Sequence, residues 1–183
     1  MQLVEITLGI LAGGKGQRMG GRDKGLIVTN GEPLIARLCH SPEVSTVEVM
    51  VTCKQNPWLY QHYADRVLCD LEYDQGPLAG VVAMLYACQS PLLFILPCDQ
   101  QTFDRRWISQ LQIALEPQAL GIYARDNSRH TACFMLRKSA LVTVQRIYDE
   151  GCSSLAGLYR ELELPSVEIN GAGCDMDALE DRI

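Results

Sequence analysis

A glycine-rich segment near the start of the chain is the first feature whose residue types could do chemistry. Residues 13–25 contain six glycines together with the cations Arg18 and Lys24. Glycines let a backbone approach a ligand closely and turn its N–H groups toward an anion, while cations neutralise phosphate oxygens. Met19 stands where the dinucleotide motif G-x-G-x-x-G requires glycine, and no G-K-[ST] tripeptide occurs. We therefore predict a phosphate-binding loop of another kind, in preference to a flexible surface hairpin.

Two aspartates each follow a short apolar run of the sequence. Asp99 comes shortly after Leu92–Leu96, and Asp70 comes directly after Arg66–Cys69. Where such runs are parallel strands, their carboxyl ends border the ligand crevice of the sheet. Asp99 is then placed where a carboxylate can hold Mg²⁺ against phosphate oxygens, and Asp70 where it can accept hydrogen bonds from a ligand. The simpler alternative is that both are turn residues, with Asp99 capping the next helix.

Apolar runs alternate with helical patterns along the chain, and these elements must position the segments above. Strands are predicted at Ile6–Leu11, Val47–Thr52, Arg66–Cys69, Leu92–Leu96, Ala119–Tyr123, Thr131–Leu136 and Ser166–Ile169. Helices are predicted at Leu34–Cys39, Trp58–Tyr63, Leu78–Cys88, Arg105–Leu115, Ala140–Asp149 and Ser154–Arg160. Nearly continuous apolar strands indicate a sheet covered on both faces. We predict an α/β three-layer αβα sandwich with a Rossmann-like, mostly parallel sheet, as a single domain over residues 1–183.

Composition excludes several classes of protein. A net charge of −6 argues against a protein that coats nucleic acid. The sequence has no apolar stretch of the roughly 18 residues that a membrane span requires, and no basic region precedes an apolar core at its start. The eight cysteines include no C-x-x-C pair, so we expect reduced thiols without zinc. We expect a cytoplasmic protein that binds neither nucleic acid nor membrane.

Several motifs resemble those of one enzyme family. The pattern L-A-G-G-x-x-x-R-M-G at residues 11–20, followed by D-K at residues 23–24, resembles the signature of nucleotidyltransferases with the nucleotide-diphospho-sugar transferase fold. Within that fold the doubled Gly13-Gly14 is most similar to the molybdenum cofactor guanylyltransferases, the MobA family. Further matches follow in the family's order: N-G-E-P-L at 30–34, Asp70 with G-P-L-A-G at 76–80, P-C-D at 97–99 and G-C-S-S-L at 151–155. Their collinearity carries the resemblance.

The resemblance implies an activity and a set of site residues. The activity is transfer of GMP from GTP to the terminal phosphate of molybdopterin, with Mg²⁺, or Mn²⁺ in its place, as the cofactor. Catalytic roles fall on Arg18, Lys24 and Asp99, with Asp99 as the metal ligand and the amides of residues 12–14 facing phosphate. The implied binding residues are Leu11, Ala12, Gly13, Gly14, Lys24, Thr52, Asp70, Gly76, Pro77, Leu78, Asp99, Arg129, His130, Asp175 and Asp177. The implied protein is a monomer that transiently contacts proteins delivering the cofactor or maturing molybdoenzymes.

The chain also departs from the family, and alternatives stay open. Thr52 stands where the family usually has asparagine, and Asp175 and Asp177 stand in for its N-x-N-T-P. These differences concern the acceptor side more than the nucleotide side. A cytidylyltransferase or sugar-phosphate nucleotidyltransferase of the same fold is one alternative. A non-catalytic, nucleotide-binding regulatory or scaffold protein is the other.

Overall fold

The computed structural model describes residues 5–13, 23–29, 31–39, 47–69 and 76–173. Seven strands in these ranges form one sheet: β1 (Ile6–Leu11), β4 (Glu48–Cys53), β5 (Arg66–Cys69), β6 (Leu92–Pro97), β7 (Gly121–Asp126), β8 (Arg129–Arg137) and β9 (Ser166–Glu168). A separate two-stranded hairpin joins β2 (Val28–Thr29) to β3 (Glu32–Pro33). The helices are α1 (Leu34–Cys39), α2 (Pro57–Tyr60), α3 (Pro77–Ala87), α4 (Arg106–Ala114), α5 (Leu141–Asp149) and α6 (Leu155–Glu161).

The sheet is mostly parallel, as predicted. Its strand order is β5-β4-β1-β6-β8-β7-β9, and within it only β8 runs antiparallel to its neighbours. β1 lies between β4 and β6, with Leu11 opposite both Thr52 and Pro97. After β1 the chain thus forms β4 and β5 on one side of that strand, and it later forms β6 on the other side. Such a topological switch opens a crevice at the carboxyl ends of the two central strands.

The reversal of β8 comes from a two-residue turn. Asn127 and Ser128 join β7 to β8 with φ angles of 49° and 63°. Positive φ at both central residues is what a tight hairpin turn of matching twist requires. The predicted strand Ala119–Tyr123 ends too early and the predicted strand Thr131–Leu136 begins too late, because both strands extend to this turn. The first residues of β8 therefore extend past the carboxyl end of β6.

Apolar side chains cover both faces of the sheet, which produces the predicted three layers. Along β6, Phe94 packs into the core shared with α1 and α4, while Leu93 and Ile95 pack into the core shared with α3, α5 and α6. All three side chains are fully buried. Alternation of this kind explains why a strand of a covered sheet is apolar at every position. Within the described ranges, no helix is both long enough and apolar enough to cross a bilayer.

Helix starts agree with the sequence better than helix ends do. Pro57 and Pro77 occupy the first turns of α2 and α3, where their fixed φ is suitable. The carboxylate of Asp104 accepts the Arg106 N–H at 2.8 Å at the start of α4. The prediction of a helix over Trp58–Tyr63 is too long, because α2 ends at Tyr60 and a turn leads into β5.

Candidate active site

The site lies at the switch point, where the backbones that follow β1, β4 and β6 are tied together. The N–H of Cys98 donates to the carbonyl oxygen of Leu11 at 3.0 Å. The N–H of Ala12 donates to the carbonyl oxygen of Thr52 at 2.9 Å. These bonds hold the first residues of the glycine-rich segment beside the residue that precedes Asp99. The sequence predicts that the Ala12 amide faces a phosphate, whereas in the structure this amide is engaged by Thr52 and continues the sheet.

Lys24 and Asp99 form an ion pair across this crevice. The Lys24 ammonium nitrogen contacts Oδ2 of Asp99 directly. The two side chains are 19% and 7% exposed, so the pair is only partly screened by solvent. A hydrogen bond of 3.2 Å from the Gln100 N–H to the Pro97 carbonyl forms the turn that carries Asp99. The ion pair thus joins the glycine-rich segment to the end of β6.

Residues on either side of Lys24 pack against Tyr60, which the sequence analysis did not identify. The Tyr60 hydroxyl donates a hydrogen bond to Oδ1 of Asp23. Burial raises the pKa of the Asp23 carboxyl, although hydrogen bonds from Tyr60, Asn56 and the Gly25 amide oppose this. Asp23 comes directly before Lys24, and no local pattern connects it to a tyrosine in a later helix. The contact is visible only in the folded chain.

Cys98, next to Asp99, is buried, and its thiol is poorly nucleophilic. Its side chain is 2% exposed. Burial raises the pKa of its thiol, and the negative charge of Asp99 raises it further. A thiol that stays protonated is a poor nucleophile. The geometry therefore assigns Cys98 to packing beneath the site.

The start of α3 is held by the loop that precedes α6. Gly76 has φ +72°, and a Cβ there would lie 2.4 Å from the Ser153 carbonyl oxygen. The Leu78 N–H donates to that same oxygen at 3.3 Å. One residue further on, the Ser154 hydroxyl accepts the Gly157 N–H at 3.1 Å and caps α6. The G-P-L-A-G and G-C-S-S-L motifs, far apart in sequence, therefore form one structural unit.

Thr52 is buried beneath α3. Its side chain is 1% exposed, and a Cβ added to Gly80 of α3 would lie 2.8 Å from its hydroxyl oxygen. Leu78 is likewise fully buried. Both residues thus lie near the carboxyl edge of the sheet, with their side chains buried.

Arg129 and His130 begin β8 and lie at the same edge of the sheet. Both side chains are exposed. The His130 ring stacks on the Tyr123 ring, with centroids 5.1 Å apart and planes 8° apart. Tyr123 stacks in turn on Tyr159, with centroids 4.3 Å apart. The His130 side chain is therefore exposed, and its ring is supported by the stacked rings of Tyr123 and Tyr159.

The turn over residues 171–173 is hydrogen-bonded to the same edge of the sheet. Oδ2 of Asp126 accepts the N–H groups of Gly171 and Gly173, each at 3.1 Å. The side-chain amide of Gln100, the residue after Asp99, donates to the Gly171 carbonyl at 3.1 Å. The last described residues thus lie beside Gln100, the residue after Asp99. Neither Asp126 nor Gln100 was predicted from the sequence, because both bond to backbone groups that are distant in sequence.

A model of the family described as the MobA-like NTP transferase domain matches residues 8–165. The chain belongs to this family. A molybdenum cofactor guanylyltransferase from Pseudomonas putida KT2440 is 37% identical over 148 residues, which cover 80% of this chain and 78% of that protein. A molybdenum cofactor guanylyltransferase from Pseudomonas aeruginosa PAO1 is 48% identical over 103 residues, covering 56% of this chain and 52% of that protein.

Solved structures show the same fold. A protein from Aquifex aeolicus superposes with a TM-score of 0.74 at 16% identity, covering 96% of this chain and 95% of that one. Molybdopterin-guanine dinucleotide biosynthesis protein A from Archaeoglobus fulgidus superposes with a TM-score of 0.69 at 18% identity, covering 96% of this chain and 86% of that one. Identities this low show the fold alone, and they confirm the fold class predicted from the sequence.

For a MobA-like nucleotidyltransferase, the described residues include a core of the expected site. The structure brings together at one edge of the sheet the predicted residues Leu11, Ala12, Gly13, Lys24, Thr52, Gly76, Pro77, Leu78, Asp99, Arg129 and His130. The predicted residues Gly14, Arg18, Asp70, Asp175 and Asp177 lie outside the described ranges. Their roles stay predictions.

The donor set suits a cation that arrives with its substrate. The described ranges contain no cluster of three or more His, Cys, Asp or Glu side chains able to enclose a metal ion. Asp99 nevertheless supplies a carboxylate just after β6, where it is 7% exposed and paired with Lys24. Mg²⁺ is commonly bound by one or two carboxylates together with water and substrate phosphates. Asp99 fits this type of site.

Proposed function

We propose that this nucleotidyltransferase transfers GMP from GTP to the terminal phosphate of molybdopterin, giving molybdopterin guanine dinucleotide and pyrophosphate. The observation that carries the proposal is the contact between Lys24 and Asp99 at the switch point. It joins the glycine-rich segment to the carboxylate that follows β6. The name of the 37%-identical relative from P. putida supplies the choice of guanine nucleotide and molybdenum cofactor. We further propose that residues 1–183 act as one cytoplasmic domain.

The main demand of this reaction is charge neutralisation. An oxygen of the acceptor phosphate attacks the α-phosphorus, and the bond from that phosphorus to the β-phosphate oxygen breaks as pyrophosphate leaves. Both reactants are anions, so the protein must offset their repulsion before alignment can help. The acceptor phosphate is already ionised at neutral pH, which removes the need for a general base. This agrees with a site built from cations, amides and a carboxylate.

Asp99 and Lys24 each help to neutralise the charge of the triphosphate, in different ways. The two side chains neutralise each other across the crevice. With GTP bound, Asp99 would hold the divalent metal, Mg²⁺ or Mn²⁺, and the Lys24 ammonium would turn to phosphate oxygens. A bound metal supplies positive charge to the triphosphate, an effect worth several kcal/mol in related chemistry. Amides from Gly13 onward and the Arg18 guanidinium complete the phosphate site, since the Ala12 amide is engaged with Thr52.

The acceptor occupies the other end of the crevice. Arg129 and His130 project from the first residues of β8, beyond the carboxyl end of β6. A guanidinium suits the acceptor phosphate, and the supported His130 ring suits the flat pterin. Asp175 and Asp177 follow the turn that Asp126 fastens to this edge, and they complete the acceptor side. Asp70 contacts the base or ribose of the nucleotide.

The decisive experiment measures product formation with competing nucleotides. Purified protein with Mg²⁺ and molybdopterin should release pyrophosphate with GTP far faster than with CTP, ATP or UTP. Formation of molybdopterin guanine dinucleotide is followed in the same samples by chromatography. Preference for CTP would instead make the protein a cytidylyltransferase. Binding of GTP without pyrophosphate release would indicate a regulatory or scaffold protein.

Protein partners and oligomeric state complete the proposal. We expect a monomer that meets its partners only transiently, since an unstable pterin must be handed from one protein to another. Light scattering at several protein concentrations measures the first point. Cross-linking to proteins that deliver the cofactor or mature molybdoenzymes, with and without GTP, measures the second.

A further inference from the structure

Tyr60 contacts the residues on both sides of Lys24. Its side chain is fully buried at the end of α2, and its hydroxyl donates to Oδ1 of Asp23. On the other side of Lys24, a Cβ added to Gly25 would lie 2.5 Å from the Tyr60 hydroxyl oxygen and 2.9 Å from Cε1. One side chain therefore determines where both neighbours of Lys24 can lie.

The backbone around Lys24 is a short turn. The Leu26 N–H donates to the Asp23 carbonyl at 3.1 Å, and the Ile27 N–H donates to the Lys24 carbonyl at 3.3 Å. Asp23 is thus joined to Tyr60 through its side chain and to Leu26 through its backbone. A shift of Asp23 would move this turn and with it the Lys24 side chain.

Asp99, the partner of Lys24, has its own connection to the sheet. It follows β6, whose end is tied to β1 by the hydrogen bond from Cys98 to Leu11. The ion pair therefore has one side fixed by the sheet and the other fixed by a turn resting on α2. Loss of the second support would displace Lys24 relative to Asp99 without disturbing the sheet.

Tyr60 itself is unsuited to chemistry. Burial raises the pKa of its hydroxyl well above the ordinary value, and the hydrogen bond to Asp23 raises it further. A phenol that stays protonated can donate a hydrogen bond but cannot accept a proton from a substrate at neutral pH. Any influence of Tyr60 on the reaction must therefore pass through its neighbours.

We propose that Tyr60 is a positioning residue that, through its hydrogen bond to Asp23 and its contact with Gly25, holds Lys24 where the triphosphate binds. The proposal rests on the proposed function in one respect, namely that Lys24 meets the phosphates of a nucleotide. It assigns to α2, which ends at Tyr60, a part in nucleotide affinity.

The test compares GTP with guanosine, because Lys24 contacts phosphates and not the nucleoside. Tyr60→Phe removes only the hydroxyl, and we expect GTP affinity, measured by calorimetry with Mg²⁺, to fall about tenfold, as for a lost hydrogen bond to a charged group. Guanosine affinity should stay unchanged. Equal loss for both ligands, or loss for neither, would overturn the proposal.

Thr7→Val is the matched control for the loss of a buried hydroxyl. Thr7 is fully buried at the other end of β1, where its hydroxyl donates to Glu48 at 3.1 Å and lies 3.0 Å from the Ser90 hydroxyl. Both variants should lower the thermal unfolding temperature, but only Tyr60→Phe should lower GTP affinity. An equal loss of affinity in Thr7→Val would assign the effect to general destabilisation.

Variants of Asp23 extend the test should Tyr60→Phe fold poorly. Asp23→Asn keeps an oxygen acceptor for the Tyr60 hydroxyl, so we expect it to retain GTP affinity. Asp23→Ala should lose affinity as Tyr60→Phe does. In a Lys24→Ala background, Tyr60→Phe should cost nothing further, because the two residues act through one contact. Fully additive losses, or equal affinities in the two Asp23 variants, would contradict the proposal.

These binding measurements separate two kinds of failure. They require no molybdopterin. Protein that binds GTP but transfers no GMP would therefore contradict the proposed function and leave the assignment of Tyr60 intact. If another nucleoside triphosphate binds in preference, it is compared with its own nucleoside in the same way. A wild-type protein that binds no triphosphate would overturn both.

Discussion

The ammonium group of Lys24 lies against the carboxylate of Asp99, at the point where the chain leaves the two central parallel strands. Lys24 belongs to the segment that follows β1, and Asp99 follows β6, its neighbour in the sheet. In the proposed function, Asp99 holds the metal and Lys24 contacts the phosphates of the nucleotide. Both partners can be tested separately.

Removal of Asp99 tests the metal site. In Asp99→Ala we expect turnover to fall by ~10²–10⁴, because charge stabilisation by a metal is worth several kcal/mol and ~1.4 kcal/mol is a tenfold change in rate. Pyrophosphate release at saturating GTP measures turnover, and circular dichroism checks the fold. Asp99→Asn, which keeps the shape but not the charge, should lose activity as well. Wild-type rates in either variant would remove Asp99 from the mechanism.

Removal of Lys24 tests the phosphate contact. Lys24→Ala should lose ~10²–10³ in kcat/KM, by comparison with the deletion of one donor from a charge-stabilising site. Lys24→Arg keeps the positive charge and should recover part of the loss. Steady-state kinetics with GTP as the varied substrate provides the measurement. An activity close to wild type in Lys24→Ala would transfer the role to other cations of the loop.

Glycine at position 76 is required by both conformation and space. The φ angle is +72°, and a Cβ at this position would lie 2.4 Å from the Ser153 carbonyl oxygen. With ψ at −174°, Gly76 lies in a backbone region that essentially only glycine adopts. Gly76→Ala should therefore destabilise by about 1–3 kcal/mol for the conformation and about 1–3 kcal/mol for the clash. Gly151→Ala is the control, since φ there is +94° but no atom lies within 4 Å. Urea unfolding should show the larger loss for Gly76→Ala. Equal losses would mean that Ser153 moves aside freely.

The stacked ring of His130 tests the acceptor side. His130→Ala should raise the KM for molybdopterin by about two- to tenfold, the range expected for one aromatic contact, and leave the KM for GTP unchanged. His130→Phe keeps a ring that can stack on Tyr123 and should restore the lower KM. The kinetics are measured with each substrate varied in turn. A change in the KM for GTP alone would place His130 on the nucleotide side.

Much of this protein follows from local patterns in its sequence. The strands of a sheet covered on both faces are nearly continuously apolar, so β6 and most of β1 can be recognised from the sequence alone. Pro57 and Pro77 mark helix starts because proline has a fixed φ and no N–H to satisfy. The order of the short motifs from residue 11 to residue 155 was enough to indicate the family, which the comparisons then confirmed.

The tertiary structure alone decided which distant groups meet. Asp99 is paired with Lys24, Tyr60 with Asp23, and Ser153 with Gly76, in each case across strands or helices that are far apart in sequence. Strand order and register determine these contacts, and neither is encoded in the period of a hydrophobic pattern. The sequence could thus predict which residues stand at strand ends, whereas packing of the sheet and helices determined which of them touch.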